Sequence, residues 1–155
     1  FNVLEDILKD PIASSIDGVV FGRSDMTGSL GMSKDDINHP KIFEYANKLA
    51  NVLSANHKDF VIGGGVSAQS LPFFKNLPAG TLSRFETRKV IFDAQQALSS
   101  PHAGDGILKA VGFELMWIKN KRNFYQAISL EDEKRIEVLE SRYRASIESI
   151  GGKVE

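Results

Sequence analysis

The sequence contains no cysteine, so it has no disulfide framework, no thiolate nucleophile and no cysteine-based zinc or iron–sulfur site. No apolar run approaches the ~20 residues needed to span a bilayer, and no charged-then-apolar leader opens the chain. Neither sign of charge is in excess, because nineteen basic and twenty acidic side chains give a net charge of −1. These absences predict a cytoplasmic protein whose partners include neither nucleic acid nor a membrane.

The length of the chain limits the size of the fold that it can form. Its 155 residues suffice for one domain with a real core. The first residue is Phe1 and not Met, which leads us to expect a truncated or cleaved product of a longer chain.

The most informative stretch runs from Ile16 to Gly31. The apolar run Val19-Val20-Phe21, closed by Gly22, indicates a buried strand that ends abruptly and leads into a polar loop. That loop holds Arg23, Ser24 and Asp25 side by side, followed by small residues that let a ligand approach the backbone. A carboxylate at the end of a buried parallel strand is a common position for chemistry in α/β enzymes. The alternative is that the glycines only make turns and the aspartate only caps the next segment.

This stretch resembles the strand-and-loop signature of the HpcH/HpaI aldolase and citrate lyase β-subunit superfamily. The matching residues are Phe21-Gly22-Arg23-Ser24-Asp25-Met26, Ser29-Leu30-Gly31, His39-Pro40 and Phe60 to Gly63, and the resemblance covers roughly residues 1–92. Family members are (β/α)8 barrels, which need more than 155 residues, so the resemblance implies the C-terminal portion of a TIM barrel. We therefore predict an α/β fold, with residues 1–98 in the barrel portion and 99–155 as a helical extension.

The resemblance also implies a function and a set of roles. Family members bind Mg or Mn and make or break a carbon–carbon bond beside a keto acid or an acyl thioester. By resemblance, Asp25 binds the metal, and the backbone N–H groups of Ser24 and Asp25 hold the substrate carboxylate. Asp25 and Arg23 are the residues we assign as catalytic. Arg23 departs from the small or apolar residue common there, and is predicted either to reach a phosphate or second carboxylate or to point into solvent. The family's metal-binding Glu and catalytic Arg would lie upstream of Phe1.

A glycine run follows the next predicted strand, Phe60-Val61-Ile62. Gly63, Gly64 and Gly65 remove side chains where backbone N–H groups could face an anionic substrate, and Ser67 can cap the helix that follows. The run lacks the spacing of a nucleotide-binding loop. A tight turn in a crowded barrel explains it equally well.

A second charged stretch lies at residues 84–88, after a strand predicted over Thr81 to Phe85. On a strand, Arg84, Glu86 and Arg88 would share one face and form an ion-pair cluster. The functional interpretation makes Glu86 a second carboxylate near the metal, and Arg84 or Arg88 a clamp for a substrate anion.

The remaining segments follow helical patterns. The predicted helices are Phe1 to Leu8, a helix opening at Pro40, Ser67 to Leu77, a stripe from Val90 to Leu98, Ile107 to Ile118, and a last helix from Ser129 to Gly151-Gly152. His39 and His57 are assigned to a surface cap and a turn. Because a helical appendage needs a surface to bury against, we expect a homo-oligomer.

Three functions remain open on these grounds. The first is a metal-dependent aldolase or lyase acting on a small-molecule carboxylate, completed by an N-terminal barrel half or a longer parent chain. The second is a non-catalytic half-barrel that binds a partner or serves assembly. The third is a barrel enzyme related to phosphoenolpyruvate or isocitrate lyases.

Overall fold

The computed structural model describes residues 2–151 and shows a mixed α/β fold, as predicted. The helices are α1 (Asn2–Lys9), α2 (Arg23–Ser29), α3 (Pro40–Ala55), α4 (Leu71–Lys75), α5 (Ala94–Ser99) and α6 (Ala103–Ser149). The strands are β1 (Gly18–Gly22), β2 (Asp59–Gly63), β3 (Arg84–Glu86) and β4 (Ile91–Asp93). Short 3-10 helices cover Pro11–Ser15, Lys34–Asn38 and Ala68–Ser70.

The strands form one sheet in the order β1-β2-β3-β4. β1 and β2 are parallel and in register from Gly18 opposite Asp59 to Gly22 opposite Gly63. β3 joins β2 in parallel, with Phe85 opposite Ile62. The carboxyl ends of β1, β2 and β3 therefore meet at one edge of the sheet, which is where ligands bind in open parallel sheets.

β4 runs antiparallel to β3, with Phe92 opposite Phe85. The prediction of helix from Val90 onward is wrong here, since Ile91–Asp93 is a strand and α5 begins only at Ala94. Two β-branched residues followed by an aromatic favour extended backbone. The Asp93 side chain then accepts a hydrogen bond from the Gln96 N–H at 2.8 Å and so fixes the start of α5. An antiparallel strand is not part of the all-parallel sheet expected of a barrel.

The core is built on aromatic side chains that connect the sheet to α3 and α4. The ring of Phe85 stacks on Phe74 and on Phe92, with both centroid distances at 4.9 Å. Phe73 meets Phe74 and Phe43 edge to face. The buried apolar cluster consists of Phe21, Ile42, Ala46, Leu49, Ala50, Leu53, Phe60, Ile62, Val66, Phe73, Phe74, Leu77, Leu82, Phe85, Ala94 and Ile107.

Several predicted elements are confirmed, and one loop is corrected. α1, β1, α3 and β2 fall where the apolar periodicity places them, although Phe1 lies outside the described residues. His39 is the helix cap that was predicted, because its Nδ1 accepts from the Lys41 N–H at 3.2 Å. The polar loop after β1 is instead the seven-residue helix α2. The strand predicted over residues 81–85 is shorter and starts at Arg84.

The chain forms two compact units, residues 1–114 and 115–155. α6 is a single helix, so the separate helix predicted from Ser129 is wrong. Residues 113–150 contain neither glycine nor proline, which leaves nothing in the sequence to break the helix. Gly151, at φ 74°, adopts the left-handed conformation typical of a residue beyond a helix end, and Gly152 lies outside the described residues. No helix within residues 2–151 combines the length and the apolar character that a bilayer-spanning segment needs.

Candidate functional site

A cavity of about 600 Å³ opens at the carboxyl ends of the parallel strands. It is lined by Ser24, Asp25, Gly64, Gly65, Val66, Ser67, Glu86, Thr87, Arg88, Val111 and Glu114. β1 delivers Ser24 and Asp25 through the first turn of α2, while the segment after β2 delivers the glycines and the end of β3 delivers Glu86. Four of the residues predicted for the site, Ser24, Asp25, Gly64 and Glu86, thus line one cavity.

The glycines beside the cavity are required by close packing. A Cβ on Gly22 would collide with the carboxylate of Asp25, so this glycine lets that side chain lie against the strand end. Gly64 has φ 80°, and a Cβ on it would lie 2.6 Å from the Ser24 amide nitrogen. A Cβ on Gly65 would lie 2.6 Å from Cδ1 of Ile37. The glycine run therefore lets the segment after β2 pass directly over the start of α2.

Gly63 has a different position from its two neighbours. It is buried, and a Cβ on it would lie 3.4 Å from Cγ and from Oε1 of Glu86. The carboxylate of Glu86 therefore lies beside the end of β2, and Gly63 leaves space for it.

Arg23 lies beneath the cavity and not in it. Its side chain is fully buried, which excludes the predicted orientation into solvent. The guanidinium donates from Nε to the carbonyl oxygen of Gly63 at 3.3 Å, and from Nη2 to the carbonyl oxygen of Gly64 at 3.0 Å. It also donates from Nη2 to Oγ of Ser70 at 3.0 Å and from Nη1 to Oδ1 of Asn38 at 2.6 Å. The side chain predicted to be catalytic thus joins α2 to the glycine run and to the 3-10 helix that follows it.

The environment of the Arg23 guanidinium is apolar on one side. Its Cζ lies 5.2 Å from the ring centroid of Phe73 and 5.1 Å from that of Phe74, within the range of cation–π attraction. Burial lowers the pKa of Arg23 to about 10, because loss of hydration disfavours the charged form. The group therefore keeps its charge at neutral pH, and two backbone carbonyls, the Asn38 amide oxygen, the Ser70 hydroxyl and two aromatic faces solvate it in place of water.

The structure places Arg84 outside the lining of this cavity, so Arg84 is not brought together with the other residues predicted for the site. Arg84 opens β3, at the amino ends of the parallel strands, and its Nη2 lies 2.6 Å from Oδ2 of Asp59 at the start of β2. Both side chains are about half exposed, at 46% and 44%. Arg84 therefore forms a surface ion pair with Asp59 in place of the cluster predicted with Glu86 and Arg88.

A larger cavity of about 790 Å³ lies on the Arg84 side of the sheet, and its lining also includes Asp59 and Asp93. Three of its charged side chains already have partners, since Asp59 pairs with Arg84 and Asp93 caps α5. The cavity at the carboxyl ends is therefore the better candidate for chemistry.

The carboxylates of the carboxyl-end cavity decide whether the described residues can hold the metal ion that the resemblance implies. Asp25 and Glu86 both line it, yet within residues 2–151 no group of three or more His, Cys, Asp or Glu side chains is close enough to hold a metal ion. Mg²⁺ is commonly held by one or two carboxylates together with substrate oxygens and waters. Asp25 and Glu86 are the number of carboxylates that such a joint site uses, and the described residues do not form a complete protein cage for a metal ion.

Sequence reasoning missed two parts of this site. Glu114 and Val111 reach the cavity from α6, a helix far along the chain, and nothing local marks them. Asn38 and Ser70 bind the buried guanidinium across separations of 15 and 47 residues. The one available signal was an arginine in a run of small residues next to a buried strand, and that signal does not identify its partners.

Comparison with protein-family models, with curated proteins and with solved structures finds no match to this chain.

Proposed function

We propose that this chain provides the carboxyl-end cavity of a metal-dependent carbon–carbon lyase or aldolase, with a keto acid or an acyl thioester as substrate. The observation that carries the proposal is that Asp25, in the first turn of α2 after β1, and Glu86, at the end of β3, line one cavity, although β1 and β3 are not adjacent in the sheet. Asp25, but not Glu86, also carries the resemblance to the HpcH/HpaI aldolase and citrate lyase β-subunit superfamily. In this proposal the chain is the C-terminal part of a barrel in the cytoplasm.

The chain's own residues have distinct roles in this proposal. Asp25 and Glu86 hold the metal, Mg or Mn, and that ion, when bound, supplies a Lewis acid for the keto oxygen of the substrate. The N–H groups of Ser24 and Asp25, in the first turn of α2, bind the substrate carboxylate. Arg88, exposed at the rim, binds a second anionic group of the substrate.

Arg23 has a positioning role and not a catalytic one. Its hydrogen bonds to the Gly63 and Gly64 carbonyls fix the glycine run against α2, so the two walls of the cavity keep their separation. A site of this kind requires supporting residues that hold its geometry closely.

A second function, a binding or assembly module without catalysis, also has support. Val20, in the middle of β1, is 61% exposed, and β1 has a strand neighbour on one side only within the described residues. An exposed sheet edge is a natural place for another chain to pair.

The test is Mn²⁺ binding to the purified 155-residue chain, measured by electron paramagnetic resonance with and without pyruvate or oxalate. We compare the wild type with Asp25→Asn and Glu86→Gln. Asp35→Asn is the matched control, because it removes the same charge from an exposed side chain outside the cavity lining.

The proposed function predicts that both cavity variants weaken Mn²⁺ binding by about 10-fold or more, while the control leaves it unchanged. It also predicts that oxalate tightens binding in the wild type, since substrate oxygens complete the coordination. Equal Mn²⁺ affinity in all four proteins would overturn the metal site and favour the binding module. Cleavage of keto acids is then assayed with Mg²⁺, with Asp25→Asn as the inactive reference.

A further inference from the structure

The cavity of about 790 Å³ on the Arg84 side of the sheet has no role in the proposed function. We call it the amino-end cavity, because the first residues of β2 and β3, Asp59 and Arg84, belong to its lining. Cavities that bind small molecules commonly measure about 300–1,000 Å³ and combine an apolar surface with a few polar groups. The amino-end cavity has this size, so the nature of its lining decides which ligand it would accept.

Part of the lining is apolar and already packed. Phe74, Leu77 and Leu82 line the cavity and are buried, and Leu98 lines it and is half-buried. The ring of Phe74 stacks on Phe85 with the centroids 4.9 Å apart, which holds it in place. An apolar ligand group that covered these side chains would gain free energy from leaving water.

The lining also holds a group of charges at the starts of the strands. Asp59 pairs with Arg84 at 2.6 Å, and its other oxygen accepts from Oγ of Ser83 at 3.0 Å. Asp93 is the cross-strand partner of Arg84, but the guanidinium binds Asp59 instead. Oδ1 of Asp93 accepts from the Gln96 N–H, while Oδ2 has no hydrogen-bond partner within residues 2–151. Two carboxylates and one guanidinium give this group a net charge of −1 and one open acceptor oxygen.

The remaining charged residue of the lining is Lys75, in the last turn of α4. Its side chain is exposed, and within the described residues it has neither an ion pair nor a hydrogen bond to another side chain. The lining therefore offers an unpaired ammonium from α4 and an open carboxylate oxygen from β4, together with an apolar surface.

We propose that the amino-end cavity binds a small zwitterion with an apolar body, such as a free amino acid with an apolar side chain. The ligand carboxylate binds Lys75, the ligand ammonium binds Asp93, and the side chain covers Phe74 and Leu82. A ligand with a carboxylate alone would face the net negative group without an ammonium to offset it. A ligand with an ammonium alone would leave Lys75 unpaired. Both charges are therefore needed, and specificity comes from this difference.

The test is a titration of the ¹⁵N-labelled 155-residue chain, followed by NMR, with three compounds that share one apolar body. These are phenylalanine, N-acetylphenylalanine without the ammonium, and phenylalaninamide without the carboxylate, at about pH 6, where the amide keeps its charge. We expect phenylalanine to bind with a Kd of about 1 mM or tighter. Each of the other two should bind at least about 5-fold more weakly, because it lacks one charge-assisted hydrogen bond. Backbone signals of Leu82 and Ala94 should shift.

Two outcomes of this titration overturn the proposal. One is the absence of saturable shifts at Leu82 and Ala94 up to about 10 mM phenylalanine. The other is equal affinity for the three compounds, which would mean that the apolar body alone determines binding.

Lys75→Met and Asp93→Asn then assign the two charges. Lys75→Met should weaken phenylalanine about 5-fold and leave phenylalaninamide unchanged, since that compound has no carboxylate to lose a partner. Asp93→Asn should weaken phenylalanine similarly and leave N-acetylphenylalanine unchanged, and asparagine can still cap α5. Lys109→Met and Asp35→Asn are the matched controls, at exposed positions outside the lining, and should change no affinity. If either cavity variant weakens all three compounds equally, or none of them, the assignment of the charges is wrong.

Discussion

The Nη2 of Arg23 donates a hydrogen bond of 3.0 Å to the carbonyl oxygen of Gly64. This contact joins the first residue of α2 to the segment after β2, between residues that are 41 positions apart in the chain. A fully buried cation thus supports the backbone that lines the candidate site, and four predictions follow from this arrangement and its surroundings.

Arg23→Met should lower the free energy of unfolding by about 2–4 kcal/mol, because it leaves the buried carbonyls of Gly63 and Gly64 without their donor. The methionine keeps much of the apolar contact with Phe73 and Phe74, so the lost free energy of unfolding comes mainly from the missing hydrogen bonds. Arg23→Lys should recover little of this loss, since an ammonium cannot reproduce the planar fork. Urea unfolding measures the change in free energy, and an m value equal to that of the wild type shows that only stability has changed.

The matched control for this series is Arg88→Met, at an exposed arginine on the rim of the cavity. Its effect should stay within about 0.5 kcal/mol. If Arg23→Met and Arg88→Met have equal effects on stability, the buried network does not hold the fold together.

The lowered pKa of Arg23 predicts how its contribution depends on pH. Its pKa is about 10 when folded, well below the ordinary value for arginine, so above pH 10 the unfolded state binds more protons than the native state. Stability contributed by this group should therefore be constant below about pH 9 and rise with pH above 10. The measurement is the difference in unfolding free energy between wild type and Arg23→Met, since other titrating groups cancel in it. A difference that falls above pH 10 contradicts the prediction.

Gly64→Ala should destabilise the protein more than Gly80→Ala. The two glycines have almost the same backbone, with φ 80° and 76°, so the strain of a left-handed alanine is common to both. A Cβ at Gly80 has no neighbour within 4 Å, whereas one at Gly64 would lie 2.6 Å from the Ser24 nitrogen. We expect about 1 kcal/mol for Gly80→Ala and more than about 3 kcal/mol for Gly64→Ala. Thermal unfolding of the two variants compares them, and equal melting temperatures would show that the glycine run has room to move.

Asp59→Asn should cost no more than about 1 kcal/mol, because its ion pair with Arg84 is about half exposed to solvent. The cost should shrink further at high salt, where exposed charges are screened. Arg84→Met should leave Mn²⁺ binding unchanged, since Arg84 lies at the amino ends of the strands. Weaker Mn²⁺ binding in Arg84→Met would contradict the separation of the two ends of the sheet.

The sequence was sufficient to predict the elements whose signal is local. β1 and β2 are short apolar runs closed by glycine, and α3 opens at Pro40 with an apolar face repeating at helical spacing, so the position of each follows from its own residues. The functional interpretation of residues 84–88 placed Glu86 near the site of Asp25, and the structure has both residues in the lining of one cavity.

The parts that sequence reasoning got wrong depend on distant contacts. α2 contains glycine, serine and threonine, which are poor helix formers, and it is anchored by the buried side chains of Arg23 and Thr27. The position of Arg23 follows from acceptors up to 47 residues away, which no local pattern reveals. The strand β4 was taken for helix because Val90, Ile91 and Ala94 have a spacing that both structures allow, and pairing with β3 decides between them.

The two edge strands of the sheet, β1 and β4, run in opposite directions. On one side, the antiparallel β4 ends the run of parallel strands, while on the other side β1 has its outer backbone groups directed away from β2. A strand that joins beside β1 in the direction of β2 extends the parallel run directly, whereas a strand beside β4 is separated from that run by the antiparallel strand. A fragment that lengthens the parallel run by direct contact therefore docks beside β1 and brings its own carboxyl end to the candidate site.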